Sequence, residues 1–158
     1  MRAAVLGSPV AHSLSPVLHA AAHAALRLEG WTYDRHECPE DGLPAFVAGL
    51  GPEWAGLSLT MPLKRVALEV ADEVSPLAAA VGAANTLLLG GATRAENTDV
   101  AGIVAALGGV TGGRAVVLGA GGTAQAALAA LRDLGTTDVT VLVRSPARAG
   151  ELRAAAAR

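Results

Sequence analysis

The stretch VVLGAGGTAQAAL, Val116 to Leu128, constrains the fold more than any other part of the chain. An apolar run breaks at glycines and resumes with small residues at helical spacing. Gly119 permits a tight turn, and Ala124 lets the following helix pack closely on the strand it leaves. A second apolar run, Val139–Val143, follows that helix, so the unit reads strand–helix–strand. The same alternation runs through the rest of the sequence. Strands are expected at Ala3–Leu6, Trp31–Cys38 and Ala55–Thr60. Helices are expected at Ser15–Leu28, Leu43–Leu50, Lys64–Ala71 and Ser75–Val81. Ser15 reads as the N-cap of the first helix, with Pro16 at its first position. Ala84–Leu89 and Thr93–Glu96 form a hairpin across Gly90-Gly91, and Asp99–Leu107 is helical with Asp99 as N-cap. Strands alternating with helices predict an α/β class with a parallel sheet. GGVTGG, Gly108–Gly113, is the best boundary. It separates an N-terminal α/β domain, 1–107, from a second unit, 108–158.

The second unit carries Gly119-x-Gly121-x-x-Ala124 between a strand and a helix, the setting a dinucleotide fingerprint requires. Gly121 lets backbone approach a pyrophosphate, and the helix N-terminus adds free N–H groups and a positive dipole end. The cofactor-binding segment is therefore read as Gly119, Ala120, Gly121, Gly122, Thr123 and Ala124. A strand end acidic residue would favour NAD; Arg144-Ser145 stands there instead, which suits a 2′-phosphate and favours NADP. Arg148, one helical turn on, adds a second cation. Two strands make only part of a nucleotide sheet, so the unit reads as a truncated Rossmann-type domain, either a fragment or one whose remainder a partner supplies.

Composition narrows the partners. The net charge is −2 with no basic block, which argues against nucleic acid. No apolar run is long enough to span a membrane, and no signal-peptide pattern opens the chain. The single cysteine, Cys38, points to a reducing, cytoplasmic setting and reads as a small buried strand residue. No metal-ligand set is read. The 12 basic residues are eleven Arg and one Lys, Lys64. A lone Lys in an Arg-rich chain reads either as a need for an ammonium that can release a proton, which a guanidinium cannot, or as a chance survivor on a helix surface.

Polar residues gather at element junctions. GSPVAHSLSPVLHA (Gly7–Ala20) crowds His12, Ser13 and Ser15 before a helix. GLSLTMPLK (Gly56–Lys64) sets Ser58 and Thr60 on one strand face. GAANT (Gly82–Thr86) carries Asn85, and NTD (Asn97–Asp99) opens a helix, with Asn97 and Thr98 read as turn or cap residues. These segments, with GAGGTA (Gly119–Ala124), occur in the order and approximate spacing of the shikimate dehydrogenases. The chain resembles that family over nearly its whole length. The Ser-x-Ser-Pro and Thr-x-Pro-x-Lys elements are specific to it and to its quinate/shikimate relatives.

The resemblance implies an oxidoreductase that reversibly reduces 3-dehydroshikimate to shikimate with NADPH, a step toward chorismate and aromatic amino acids. It implies a substrate-binding first domain and a cofactor-binding second domain. By the same resemblance Lys64 and Asp99 are catalytic, Ser13 and Ser15 hold the substrate carboxylate, and Ser58, Thr60 and Asn85 join Lys64 and Asp99 around the substrate. Two hydroxyls beside a helix N-terminus make a small anion site without net positive charge. A homodimer is the assembly to test.

Some residues depart from the family pattern. Ser58 stands where the family usually has Asn. The family's His-Asn pair reads His19-Ala20, so His19 is taken as structural; His12 is read as structural too, packing the turn, with substrate contact as the lesser alternative. The strand-end pattern Asn-Arg-Thr appears as Val143-Arg144-Ser145. Family members also continue well beyond this length, completing the nucleotide sheet and returning a helix to the substrate domain, so the chain is expected to hold the first part of such an enzyme. A quinate/shikimate dehydrogenase using NAD is a rival, against which Arg144 argues. A non-catalytic shikimate-binding module is another, against which the intact Lys64 and Asp99 argue.

Overall fold

The computed structural model describes residues 1–110 and 112–156, without the side chains of 147, 148 and 151. The expectation for Arg148 lies outside the described residues.

Eight strands and seven helices follow one another along the described chain. Strands β1 (Arg2–Gly7), β2 (Thr32–Glu37), β3 (Trp54–Leu59), β4 (Glu73–Val74), β5 (Thr86–Leu88) and β6 (Arg94–Glu96) form one sheet in the order β2-β1-β3-β5-β6-β4. Strands β7 (Arg114–Leu118) and β8 (Asp138–Leu142) form a second, parallel pair. Helices α1 (Ser15–Ala25), α2 (Leu43–Ala48), α3 (Ala67–Val70), α4 (Pro76–Val81), α5 (Asp99–Leu107), α6 (Gly122–Asp133) and α7 (Gly150–Ala156) connect them. The α/β class holds.

The parallel pairing expected from the strand–helix alternation holds for part of the sheet, and the hairpin read at Gly90-Gly91 makes the rest antiparallel. β1 pairs with β2 and β3 in parallel, but β5 is antiparallel to both β3 and β6. The cause is the hairpin: a short Gly-Gly connection can only return the chain antiparallel, whereas parallel strands need a long crossover. β4, two residues paired with β6, is too short to leave a periodic signal.

Three further expectations fail at element ends. Ser15 is the first residue of α1 rather than its cap; Leu14 occupies the cap position, and the Ser15 N–H donates to Ser13 Oγ at 3.3 Å. Lys64 is not helical. Its carbonyl accepts from the Ala84 N–H at 2.7 Å, so it is unavailable to a helix ladder, and α3 begins only at Ala67. Asp99 likewise opens α5 one residue after its cap, Thr98. By contrast Ser75 caps α4 as read, its Oγ accepting from Ala78 N at 3.3 Å.

The main core lies on the six-stranded sheet, where Leu6, Leu43, Leu57, Leu63 and Leu87 are buried with Trp54 and Cys38. A second, small-residue cluster of Val81, Ala83, Val100, Ala126 and Ala130 joins α4, α5 and α6. Alanines allow close helix approach, and this contact brings the N-terminus of α6 to the edge of the first sheet. A Cβ on Gly122 would lie 3.2 Å from Ala83 Cβ and 3.4 Å from Lys64 Cδ, so glycine is what fits there. No helix among the described residues is long and apolar enough to cross a membrane.

Candidate active site

The site forms where the carboxyl ends of β1 and β3 meet the starts of α1 and α5. Backbone bonds set the frame. The Leu59 N–H donates to Asn85 O and the Thr60 N–H to Leu6 O, which fixes β1, β3 and the 82–86 turn together. Lys64 and Ala84 add the bond already described. Three segments distant in sequence therefore converge before any side chain acts.

The side chains then close a chain of hydrogen bonds. Lys64 Nζ donates to Asp99 Oδ2 at 2.6 Å. Asn85 Nδ2 donates to Asp99 Oδ1 at 2.8 Å, and Asn85 Oδ1 accepts from the Thr98 N–H at 2.9 Å. Both Asp99 oxygens are thus engaged, and the carboxylate stands in the first turn of α5, where the helix dipole favours negative charge. Lys64 and Asp99 side chains are only 17% and 23% exposed. That partial shielding makes the ion pair firmer than a surface pair. Asn97 is structural: its amide donates to Ala83 O and its Oδ1 accepts from Val100 N, which pins the start of α5.

Two hollows flank this chain. The first, of about 500 Å³, is lined by Ser13, Ser15, Ser58, Thr60, Asn85 and Thr98, among others. It gathers five of the seven residues read as substrate-binding, Ser13, Ser15, Ser58, Thr60 and Asn85, all with hydroxyl or amide groups, while Lys64 and Asp99 do not line it. α1 points its N-terminus here with no acidic residue in its first turn. The Tyr33 hydroxyl is buried beneath, near Ser58 and Ser15. Burial pushes this phenol up from its usual range, against a smaller downward pull from the two serines. The second hollow, of about 390 Å³, is lined by Lys64, Gly121, Gly122 and Gln125 among others. Lys64 Nζ also reaches Thr123 Oγ1 at 3.4 Å.

The dinucleotide segment has the expected shape. Gly119 adopts φ +107° at the end of β7, a conformation that suits glycine. Gly121 caps α6 with no side-chain cap bond and open space where a Cβ would stand. Ala124 is buried, as its packing role requires. Leu118 pairs with Leu142 across the two strands, so Ala120, at the β7 end, and Arg144 and Ser145, at the β8 end, share one edge. Arg144 is exposed there and Ser145 half-buried.

Some residues behave otherwise than read. His12 does not pack the turn; it is exposed and lines the first hollow. Thr98 joins the hollow through Asn85, a role its cap position hid. His19, by contrast, is placed as read, stacked on Tyr33 with ring centroids 3.7 Å apart. Cys38 is buried but lies just beyond β2.

Residues 5–87, more than half the chain, match the family model described as the shikimate dehydrogenase substrate binding domain. The NADP(+)-dependent shikimate dehydrogenase of Thermus thermophilus is 46% identical over 153 residues, covering 94% of this chain and 57% of that protein. The crystal structure of the Mycobacterium tuberculosis shikimate dehydrogenase superposes with a TM-score of 0.88 at 51% identity, over 99% of this chain and 60% of that one. The Thermus thermophilus enzyme solved with NADP(H) and shikimate superposes at 0.87 with 43% identity, over 98% of this chain and 60% of that one. The chain thus spans somewhat more than half the length of the relatives it matches. With the Lys64–Asp99–Asn85 bonds set beside a hydroxyl-lined hollow and a family model matched over residues 5–87, the chain belongs to the shikimate dehydrogenase substrate-binding domain family.

Proposed function

We propose that the chain serves the NADP-dependent, reversible reduction of 3-dehydroshikimate to shikimate, with residues 1–107 binding substrate and 108–158 contributing to the cofactor site. One observation carries this reading: the Lys64–Asp99–Asn85 chain stands between a hydroxyl-lined hollow and the glycine end of α6.

In the first hollow, Ser13 and Ser15 bind the substrate carboxylate at the N-terminus of α1. Their hydroxyls donate hydrogen bonds, and the helix end supplies the positive potential. Thr60 and Asn85 take ring hydroxyls inside the hollow, Asp99, which does not line it but bonds Asn85, takes one from beside it, and Ser58 adds a contact of shorter reach. Lys64 then faces the ring carbonyl oxygen.

The residues around α6 fit a dinucleotide phosphate: its N-terminus has no side-chain cap, no acidic residue in its first turn, and open space at Gly121. Gly119, Ala120, Gly121, Gly122, Thr123 and Ala124 would hold the diphosphate, and Arg144 with Ser145 the 2′-phosphate. When bound, NADPH supplies the hydride for the ring carbonyl carbon. Lys64 stabilises the negative charge that develops on the carbonyl oxygen and gives it a proton. Asp99 holds the ammonium in place and accepts from a substrate hydroxyl. Asn85 fixes the second Asp99 oxygen, so the carboxylate cannot swing away.

The test is shikimate-dependent reduction of NADP by the purified chain, followed by nicotinamide absorbance, with shikimate and NADP binding measured by titration. Binding of both ligands with turnover supports the dehydrogenase. Shikimate binding without NADP binding replaces it with a binding module, and binding of neither ligand rejects it.

A further inference from the structure

The loop that carries Ser13 is held from an unexpected side. Residues 8–14 leave the end of β1 and must present two hydroxyls at one point. On one flank the Ser8 N–H donates to Met61 O, which ties the loop to the end of β3. On the other flank lies β2, an edge strand paired only with β1. Its last residue, Glu37, stands opposite Gly7. Glu37 Oε2 accepts from the Val10 N–H at 3.0 Å. The nearby Ser8 hydroxyl, then the Val10 N–H and, less, His12 hold this carboxylate below the usual glutamate range, against a smaller upward push from burial. Two residues earlier, on the same face of β2, the Arg35 guanidinium donates to Ala11 O.

The two anchors bracket the turn. Val10 is buried, and its carbonyl accepts from the Ser13 N–H at 2.9 Å. Ser13 Oγ in turn accepts from the Ser15 N–H. A path of hydrogen bonds therefore runs from Glu37 through Val10 and Ser13 to Ser15. Neither Arg35 nor Glu37 lines the hollow.

We infer that Glu37 and Arg35 are positioning residues: a two-point clamp from β2 that holds the 8–13 loop so that Ser13 and Ser15 converge on one anion. The inference rests on the reading of those serines as the substrate-carboxylate site. An acceptor at position 37 is the essential feature, because it is Glu37 Oε2 that receives the Val10 N–H.

The experiment compares backbone amide exchange by NMR and shikimate affinity in the unaltered chain, Glu37→Ala, Glu37→Gln and Arg35→Ala. In Glu37→Ala, exchange at Val10 and Ser13 accelerates roughly tenfold while amides of β1 and β3 keep their rates. The shikimate dissociation constant rises roughly three- to tenfold, the scale of one lost hydrogen bond. Glu37→Gln keeps an acceptor oxygen and restores both properties. Arg35→Ala gives the same pattern with smaller amplitude, and serves if Glu37→Ala does not fold. Unchanged exchange at Val10 and Ser13 overturns the clamp. So does acceleration spread evenly over β1 and β3, unchanged affinity in Glu37→Ala, or failure of Glu37→Gln to restore it. An unaltered chain that does not bind shikimate overturns the substrate reading instead, while the exchange rates still decide whether β2 holds the loop.

Discussion

The two sheets of this protein bury their strands in different ways. In the first, β1 is covered along its second half, where Ala4, Val5 and Leu6 are almost inaccessible, and β3 buries Trp54, Leu57 and Leu59. In the second, β7 and β8 alternate between exposed and half-buried residues, and Val116, Leu118 and Leu142 are left on an open face. The strands look alike in sequence, as short runs of Val, Leu and Ala. What differs among the described residues is the cover: α1 and α4 pack against strands of the first sheet, whereas in the second α6 packs against β7 and α7 packs against α6. An apolar strand contributes to stability only in proportion to the surface its surroundings remove from water. Lys64 sits at the seam, with its backbone fixed by the first half and its ammonium reaching Thr123 in the second.

The largest test of this contrast is at the seam. Lys64→Ala should lower turnover by about a hundredfold to ten-thousandfold, the usual weight of a positioned proton donor, with shikimate affinity largely kept. Steady-state kinetics beside a shikimate titration checks it; near-normal turnover removes Lys64 from the chemistry. Next come the two sheets themselves. Leu57→Ala should cost about 2–5 kcal/mol in chemical denaturation, while Leu118→Ala on the open face should change stability by less than about 0.5 kcal/mol. Equal losses would mean that the second sheet is covered in solution. Arg144→Ala should weaken NADP roughly tenfold or more and leave NAD nearly untouched, by the scale of a charge-assisted bond. Equal losses for both cofactors would reject its phosphate role. Ser75→Ala, an N-cap in the well-covered half, should cost about 1 kcal/mol.

The smallest effect concerns α1, the least covered helix of the first half, which buries no residue. Burial against Tyr33, then the neighbouring His23, lowers the His19 imidazole below its ordinary value of 6.5. A depressed value means the unfolded chain binds the proton more readily. The stabilisation from neutral His19 is thus complete above 6.5 and is lost as pH falls through the folded value. An NMR titration should place the His19 midpoint below that of an exposed histidine; a midpoint at or above it would detach the ring from Tyr33.

Much of this was legible in the residues. The strand–glycine–helix unit at 116–128 and the polar junctions announced an α/β chain with ligand-binding strand ends, because glycine turns and caps act within a few residues. The hairpin at Gly90-Gly91 was also visible, yet its consequence for strand direction belongs to the sheet and was not drawn from it. Lys64 looked helical because its neighbours have good helix propensity; the tertiary bond to Ala84 overrode that preference. Thr98 and His12 stood out within their motifs but their place at the hollow did not, and the role of Glu37 beside the serine loop left no local signal.

The sequence by itself determined which residues can do chemistry: a lone lysine, paired serines, and glycines before a helix. Those are properties of residue type and short spacing. Only the tertiary structure decided that Lys64, Asn85 and Asp99 share one hydrogen-bonded chain, and that Glu37 reaches back to Val10 across 27 positions. The physical reason is that such contacts depend on sheet order and on small-residue helix packing, which bring together segments that no sequence window contains.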